Sequence, residues 1–303
     1  MHENDTLPVE LNTDFAVIGS YPTSRRAHEA GLCVLACGQA YWIRHEDGRY
    51  LLIVASSQAN RLLEEIRASE RLNRFWPPRS LDLSASGASK IPSAVASLIL
   101  VVIFALQIQF PEMKESGINA RNALLQNGEW WRIVTATTLH ANIGHLSGNL
   151  LGLAFFSYLC GRYFGNGLSW SFIVVGAALA NATTAVLSNN PDYASLGAST
   201  AVFCSLGLLS GFPLGRFFRD RRSIQSRDWL VPFAGGCILF AWMGGGEFPT
   251  DVAAHLWSFL YGTLIAIAAA GLSMEKRLSK ALQRTLLGAT VAVVSVAWFV
   301  ALA

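Results

Sequence analysis

Seven apolar segments dominate the chain from residue 91 onward, and each is long enough, or nearly so, to cross a lipid bilayer. A spanning helix needs about 20 mainly apolar residues, because the hydrocarbon core of a bilayer is roughly 30 Å thick. The segments lie at 92–110, 143–161, 168–188, 198–215, 229–243, 252–272 and 285–303. They leave almost no amphipathic surface for water, so the pattern predicts an all-α polytopic membrane protein instead of buried soluble helices.

The first 90 residues have a different composition. Only 14% of the whole chain is charged, against about 25% in a typical soluble domain, and residues 1–90 hold the ordinary mix of charges. Periodicity and turn signals, including Asp47-Gly48 between two strand-like runs, predict a small soluble α+β domain. Its expected strands lie at 14–20, 40–44 and 50–55, and its expected helices at 24–37, with Ser24 as cap, and at 58–75.

Net charge, cysteine count and the N-terminal sequence each limit what the chain can be. The net charge is only +3, and no cluster of basic residues is interleaved with aromatics, so nothing supports nucleic-acid binding. The five cysteines are odd in number and scattered, which favours reduced thiols. The N-terminus lacks the basic and then apolar layout of a signal peptide, so we expect the N-terminal domain not to be exported.

The basic residues predict an orientation, because short cytoplasmic loops are enriched in Lys and Arg. If the N-terminal domain is cytoplasmic, the inner loops hold Arg162, Arg216, Arg219, Arg221, Arg222, Arg227, Lys276, Arg277, Lys280 and Arg284. The outer loops then hold only Lys114, Arg121 and Arg132. Ten against three places the C-terminus on the outer side, in what we expect to be a bacterial inner membrane.

Polar residues in the membrane body lie at one depth. His145 and Asn149 share a face of the second segment, Ser199 begins the fourth, and His255 begins the sixth. Those three segments run in the same direction, so their N-terminal ends meet at the outer side. Ionisable residues inside a membrane are costly and indicate function, although any one histidine, His140 included, could have a structural role instead.

These residue types predict a serine hydrolase. A serine hydroxyl becomes a good nucleophile when a base takes its proton, and His255 is the candidate base for Ser199. The helix N-terminus at Ser199 favours an oxyanion, to which His145 and Asn149 could donate hydrogen bonds. No Asp or Glu lies within these spans, so a two-residue dyad is expected.

Small residues recur at four-residue spacing in the fourth and sixth segments, and such stripes let helix backbones approach closely. In the fourth segment they are Gly197, Ala201 and Ser205, followed by Gly207, Gly211 and Gly215; in the sixth they are Ala254, Ser258 and Gly262.

Together the motifs resemble those of the rhomboid intramembrane serine proteases. The motifs are Gly128-Glu129-Trp130-Trp131-Arg132 followed by His140, His145 and Asn149, then Gly197-Ala198-Ser199, then Ala254-His255 with Gly262. Each is weak alone, but their order and helices are specific. The resemblance covers about 92–275 and implies a six-helix rhomboid catalytic core there, with an additional C-terminal transmembrane helix at 276–303. Composition and turn signals place an N-terminal soluble domain at 1–78 and a linker at 79–91.

The family's residue roles follow from this resemblance. Ser199 and His255 would form the catalytic dyad, and His145, Asn149 and the Ser199 amide the oxyanion hole. The resemblance also implies supporting roles for five residues. Phe203 would pack on the histidine, Trp131 and Arg132 would anchor the long outer loop, His140 would be a structural histidine, and Gly197 would be the glycine of the serine motif.

Three positions depart from the family's pattern. Thr200 replaces the usual glycine after the serine, Ser258 replaces a common glycine after the histidine, and Gly161 stands where many rhomboids carry an acidic residue. None of these changes removes a catalytic group.

The resulting hypothesis is an intramembrane serine protease without cofactor or metal, whose partners are transmembrane protein substrates and the lipid bilayer. A His-Glu-x-x-His zinc motif is absent from the sequence. The alternative is a catalytically inactive rhomboid-like protein that binds membrane proteins, with Thr200 as its only support. A transporter or channel is disfavoured, because the sequence has no repeated half and the polar groups do not cross the membrane.

Overall fold

The computed structural model describes residues 9–10, 14–72, 88–220 and 251–303, together with 230, 234 and 235. The chain divides into two compact units, Met1–Ser80 and Leu81–Ala303. The sequence places finer boundaries at 78, 91 and 275, and these stay predictions. Most of the expected linker lies outside the described residues.

The N-terminal unit contains a four-stranded antiparallel sheet and two helices. The elements are β1 (Val9–Glu10), β2 (Phe15–Tyr21), α1 (Ser24–Ala36), β3 (Trp42–Glu46), β4 (Arg49–Ala55) and α2 (Ala59–Leu72), with strand order β1-β2-β4-β3. Strands β3 and β4 pair as the predicted hairpin. Both turn residues, Asp47 and Gly48, have positive φ (49° and 74°), as a tight two-residue hairpin turn requires.

Burial explains why this unit folds. Val34 of α1, Leu52 of β4, and Leu62 and Ile66 of α2 are all within one buried cluster, so each helix presents an apolar face to the sheet. The expected capping residue was wrong by one position. Thr23 caps α1 by accepting a hydrogen bond from the Arg26 amide, because Ser24 already has helical geometry. The predicted helix at 58–75 occupies 59–72, and 73–75 lie outside the described residues.

The second unit is helical, as predicted. Among the described residues, six helices are long and apolar enough to span a membrane: α3 (Ile91–Gln109), α7 (Ile143–Phe164), α8 (Asn166–Leu187), α9 (Ser199–Asp220), α10 (Val252–Gly271) and α12 (Lys280–Leu302). The last is the additional C-terminal helix. The segment predicted at 229–243 lies almost wholly outside the described residues.

Short elements connect the long helices. Between α3 and α7 lie α4 (Glu112–Gly117), β5 (Asn119–Ala120), α5 (Arg121–Gln126), α6 (Arg132–Thr135) and a 3-10 turn (Ala136–Thr138). Strand β6 (Ala194–Ser195) follows α8 and pairs antiparallel with β5. A short helix, α11 (Met274–Arg277), precedes α12. The loop before α9 is therefore joined to the segment before α7.

Helix α9 is the centre of this unit, and it packs against α7, α8 and α10. A side chain on Gly207, Gly211 or Gly215 would overlap the backbone of α10. In the opposite direction, a side chain on Gly262 would overlap the backbone of Cys204. The predicted close packing through small residues is thus confirmed, and it brings the first turns of α9 and α10 together.

Candidate active site

Ser199 and His255 meet at the start of α9 and α10. The Nε2 atom of His255 lies 2.7 Å from the Ser199 Oγ, which is hydrogen-bond distance. Both residues are buried, with 6% and 3% exposure. The ring of Phe203, one turn after Ser199, stacks on the His255 ring at a centroid distance of 4.4 Å and an interplanar angle of 17°. The stacked ring limits the rotation of the imidazole.

Helix capping fixes the position of His255. The Asp251 side chain accepts a hydrogen bond from the Ala254 amide at 3.0 Å, and the Asp251 carbonyl accepts one from the His255 amide at 3.2 Å. Aspartate is among the preferred N-cap residues because it satisfies amides that have no partner within the helix. His255 therefore lies in the first, well-defined turn of α10.

Gly197 occupies a position that other residues would not tolerate. Its φ is +132°, a backbone conformation that favours glycine. A Cβ there would also lie 2.6 Å from Cε1 and 2.8 Å from Nε2 of the His145 ring. The Gly197 amide donates to the carbonyl of Ala136 at 2.9 Å. The serine loop thus packs directly against His145.

Helix α7 contributes two candidate hydrogen-bond donors. Asn142 caps α7 by accepting from the His145 amide at 2.8 Å, and Asn149 follows His145 by one turn. Asn149 is fully buried, yet its Oδ1 and Nδ2 have no hydrogen-bond partner among the residues that the structure describes. Leaving such a group unpaired costs about 1–3 kcal/mol. A ligand oxygen at this place would recover part of that cost.

His140 contacts two parts of the candidate site, the serine loop and the His145 ring. Its Nε2 accepts a hydrogen bond from the Ala198 amide at 3.4 Å, and its own amide donates to the Gln107 Oε1 at 3.0 Å. Its ring packs edge to face against the His145 ring, with 5.3 Å between the ring centroids. Burial, followed by the nearby His145, lowers the pKa of His140 to about 3. His140 is therefore neutral at physiological pH, in keeping with a structural role.

Trp131 and Arg132 lie in the segment between α3 and α7. The Trp131 Nε1 donates to the Ser116 carbonyl at 3.2 Å. The buried Arg132 guanidinium donates to the carbonyls of Glu115 and Ile118 and forms an ion pair with Glu129 at 2.6 Å. These bonds hold the backbone of residues 115–118 and leave both side chains outside the Ser199–His255 contact.

Two departures from the family's pattern are in contact with each other. The Ser258 Oγ donates a hydrogen bond to the carbonyl of Thr200. Both side chains are buried. The bond therefore joins α10, one turn after His255, to the residue that follows Ser199.

Two neighbours of the site were missed by the sequence analysis. Asp251 could have been found, because an aspartate just before an apolar helical run is an N-cap signal. Tyr193, whose hydroxyl donates to the Asp251 carboxylate at 2.5 Å, lies in a loop and has no sequence signal. Among the described residues, no group of three or more His, Cys, Asp or Glu side chains is arranged to hold a metal ion.

Comparison with known proteins identifies a rhomboid domain within this chain. The rhomboid domain matches residues 127–272. "Putative rhomboid protease YdcA" of Bacillus subtilis (strain 168) is 23% identical over 169 residues, which are 55% of this chain and 81% of that protein. "Rhomboid protease GluP" of the same organism is 35% identical over 88 residues, which are 29% of this chain and only 17% of GluP. With its six described spanning helices and this domain, the chain is a multi-pass membrane protein that carries a rhomboid domain.

Proposed function

We propose that this protein is an intramembrane serine protease that hydrolyses peptide bonds in or near transmembrane segments of other membrane proteins. The observation that carries the proposal is the 2.7 Å contact between the Ser199 Oγ and the His255 Nε2, at the start of two closely packed spanning helices. The names of both relatives, as rhomboid proteases, support the same activity.

The first half of the reaction is acyl transfer. His255 Nε2 takes the proton of Ser199 as its Oγ attacks the carbonyl carbon of the scissile bond. The carbon–oxygen bond forms and the carbonyl oxygen becomes an oxyanion. The imidazolium then gives its proton to the amide nitrogen as the carbon–nitrogen bond breaks, which releases an amine and leaves an acyl-enzyme. Phe203, stacked on the ring, keeps Nε2 directed at Ser199.

The oxyanion would be bound by three donors: the Ser199 amide, the His145 ring and the Asn149 amide group. Support comes from the buried Asn149 side chain, whose Nδ2 has no partner among the described residues, and from the His145 ring beside Gly197. Donors that are already oriented stabilise the charged intermediate without reorganisation, and removal of one typically lowers kcat by about 10²–10³.

The second half of the reaction is hydrolysis of the acyl-enzyme. His255 takes a proton from a water molecule as the water oxygen attacks the acyl carbon, and it then returns the proton to the Ser199 Oγ. The products are a carboxylate and the free enzyme. All proton transfers use these two residues, so the proposed chemistry requires neither cofactor nor metal.

The basic residues of the loops support an orientation with the N-terminal unit in the cytoplasm and the starts of α7, α9 and α10 near the outer face. Cleavage would then occur on the outer side of a bacterial inner membrane. Alkaline phosphatase fused after residue 303 should be active in whole cells, and a fusion after residue 72 should be inactive. The reverse pattern would contradict this orientation.

The test is cleavage of a fluorescent transmembrane-peptide substrate by the purified full-length protein in detergent. Wild type should cleave, and Ser199→Ala and His255→Ala should not. Ser205→Ala is the matched control, because the Ser205 hydroxyl donates to Ala201 within its own helix, and it should retain cleavage. If Ser199→Ala and His255→Ala cleaved as well as wild type, the dyad would be wrong.

A wild type that is inactive on a broad substrate panel would favour the non-catalytic alternative. Thr200 is the residue to change in that case, because its buried side chain follows Ser199 directly. Recovery of cleavage in Thr200→Gly would assign the defect to this residue.

A further inference from the structure

Ser199 and His255 lie in the first turns of two different helices, and a side-chain contact joins residues that precede those two turns. Tyr193 precedes Ser199 by six residues, and Asp251 precedes His255 by four. The Tyr193 Oη donates a hydrogen bond to the Asp251 Oδ2 at 2.5 Å. The contact is therefore placed where it can hold the two first turns at a fixed separation.

Asp251 uses both carboxylate oxygens. Its Oδ1 caps α10 through the Ala254 amide, and its Oδ2 accepts the hydrogen bond from Tyr193. The same residue accepts the His255 amide through its carbonyl. A shift of Asp251 relative to the loop would thus move the first turn of α10, and His255 with it.

Tyr193 is hydrogen-bonded through both its main chain and its side chain. Its carbonyl accepts a hydrogen bond from the Arg121 amide at 3.0 Å, and its hydroxyl lies 2.8 Å from the Ser195 Oγ. The Asn119 Nδ2 donates to the Ser195 Oγ at 3.3 Å. A tyrosine hydroxyl has one proton to donate, and Tyr193 donates it in the hydrogen bond to the Asp251 carboxylate, so the Ser195 hydroxyl must donate to Tyr193. The donors then run in one direction, from Asn119 through Ser195 and Tyr193 to Asp251.

This chain of bonds requires that Tyr193 keep its proton. Burial, followed by the charge of Asp251, raises the pKa of Tyr193. The phenol is therefore a permanent donor under physiological conditions. Hydrogen bonds aligned in this way also strengthen one another where the surroundings are partly shielded from water.

We propose that Tyr193 and Asp251 are positioning residues for catalysis: the pair sets the separation of Ser199 and His255 without touching the substrate or the reacting atoms. The proposal rests on the proposed protease function. Nucleophile and base work only within hydrogen-bond reach, and a misplacement of about 1 Å can cost roughly 10²-fold in rate. Loss of the pair should therefore lower kcat and leave KM nearly unchanged.

Two substitutions remove the pair without removing the helix cap. Tyr193→Phe deletes the donor and keeps Asp251 intact. Asp251→Ser keeps an acceptor for the Ala254 amide, because serine caps helices about as well as aspartate, but it has no second oxygen for Tyr193. Each should lower kcat by roughly 10-fold or more, with KM within about twofold. The double variant should be no worse than the worse single variant, because both remove one interaction.

Matched controls separate positioning from packing. Tyr261→Phe also deletes a tyrosine hydrogen bond of α10, the 2.7 Å contact with Thr183, and should retain kcat within about twofold despite a similar loss of thermal stability. Asp192→Asn neutralises an exposed carboxylate next to Tyr193 and should behave as wild type.

The outcomes are distinct for the two proposals. If wild type cleaves and Ser199→Ala does not, the protease function stands, and wild-type kcat in Tyr193→Phe and Asp251→Ser would overturn the positioning role alone. Equal losses in Tyr193→Phe and Tyr261→Phe, or additive losses in the double variant, would also overturn it. A wild type that does not cleave would overturn both proposals.

Discussion

Helices α9 and α12 are both long enough to span a membrane, but they differ in burial and in hydrophobicity. Most of α9 is buried inside the protein, although it is the less hydrophobic of the two helices, whereas only a small part of the more hydrophobic α12 is buried. The less hydrophobic helix is thus the one surrounded by protein. High hydropathy identifies helices that face lipid, whereas the candidate site lies on the helix built from small and polar residues.

The two helices are also attached differently. Helix α9 meets α10 through backbone-to-backbone approach at glycines. Helix α12 also approaches a glycine closely near its start, where a side chain on Gly167 would overlap the backbone of Gln283. Beyond that turn, polar side chains join α12 to its neighbours: Thr290 bonds Ser171, and Trp298 bonds Thr138. Backbone contacts cannot adjust to added atoms, whereas long side chains can. The α9–α10 interface should therefore be intolerant of substitution along its length, whereas α12 should be tolerant beyond its first turn.

The largest expected effect is at the glycines. Gly262→Ala should lower the free energy of unfolding by about 3 kcal/mol, because the added methyl overlaps the backbone of Cys204. Cleavage should fall with it, since the α9–α10 spacing sets the Ser199–His255 distance. Gly288→Ala on α12 has open space around it and should be neutral, or stabilising by at most about 1 kcal/mol. Unfolding in detergent measures both.

Similar behaviour of the two glycine variants would contradict the difference in packing between α9 and α12. Equal stability would mean that α9 and α10 separate easily. Equal destabilisation would mean that α12 is packed as closely as α9.

The second expected effect concerns pH. The pKa of His140 is about 3 in the folded protein, against an ordinary value of 6.5. Between those values the unfolded chain binds a proton that the folded chain does not, so stability falls as pH drops through this window. His140 accounts for a loss of about 2 kcal/mol in the free energy of unfolding between pH 7 and pH 5. His140→Asn should remove that loss, as measured by unfolding at each pH.

The α12 interface supplies the control for this pH effect. Gln283 does not titrate, so Gln283→Leu should destabilise the protein equally at pH 7 and pH 5. Should His140→Asn keep the full wild-type pH dependence, His140 would not be the buried neutral group described above.

The third expected effect is a single hydrogen bond between α9 and α10. Ser258→Ala removes the donor to the Thr200 carbonyl and should cost about 1 kcal/mol, with a few-fold drop in kcat. Ser210→Ala removes a hydroxyl that donates to the Leu206 carbonyl within α9 and should cost close to nothing. Similar losses of stability in the two variants would show that the bond between the helices contributes no more than a bond within one helix.

The same contrast explains what could be predicted from the sequence. Spans and small-residue stripes depend on local composition, and the sequence therefore predicts them well. Ser199, His255 and Asn149 were proposed as site residues from the sequence because polar groups are costly at membrane depth. The Ser258–Thr200 and Tyr193–Asp251 contacts were not, because each joins positions 58 residues apart and depends on the packing of whole helices.

The smallest expected effect is at the end of α12. The Trp298 Nε1 donates to the Thr138 Oγ1 at 3.1 Å, and its ring fills the space beside Gly117. Trp298→Phe keeps most of the ring and loses the bond, so it should cost about 0.5–1 kcal/mol of stability. Its kcat should stay within about twofold of wild type, because the lost bond is made to Thr138 and the Ser199–His255 contact is left in place. A tenfold drop in kcat with unchanged stability would instead make α12 part of the positioning of the site, since Thr138 lies two residues before His140.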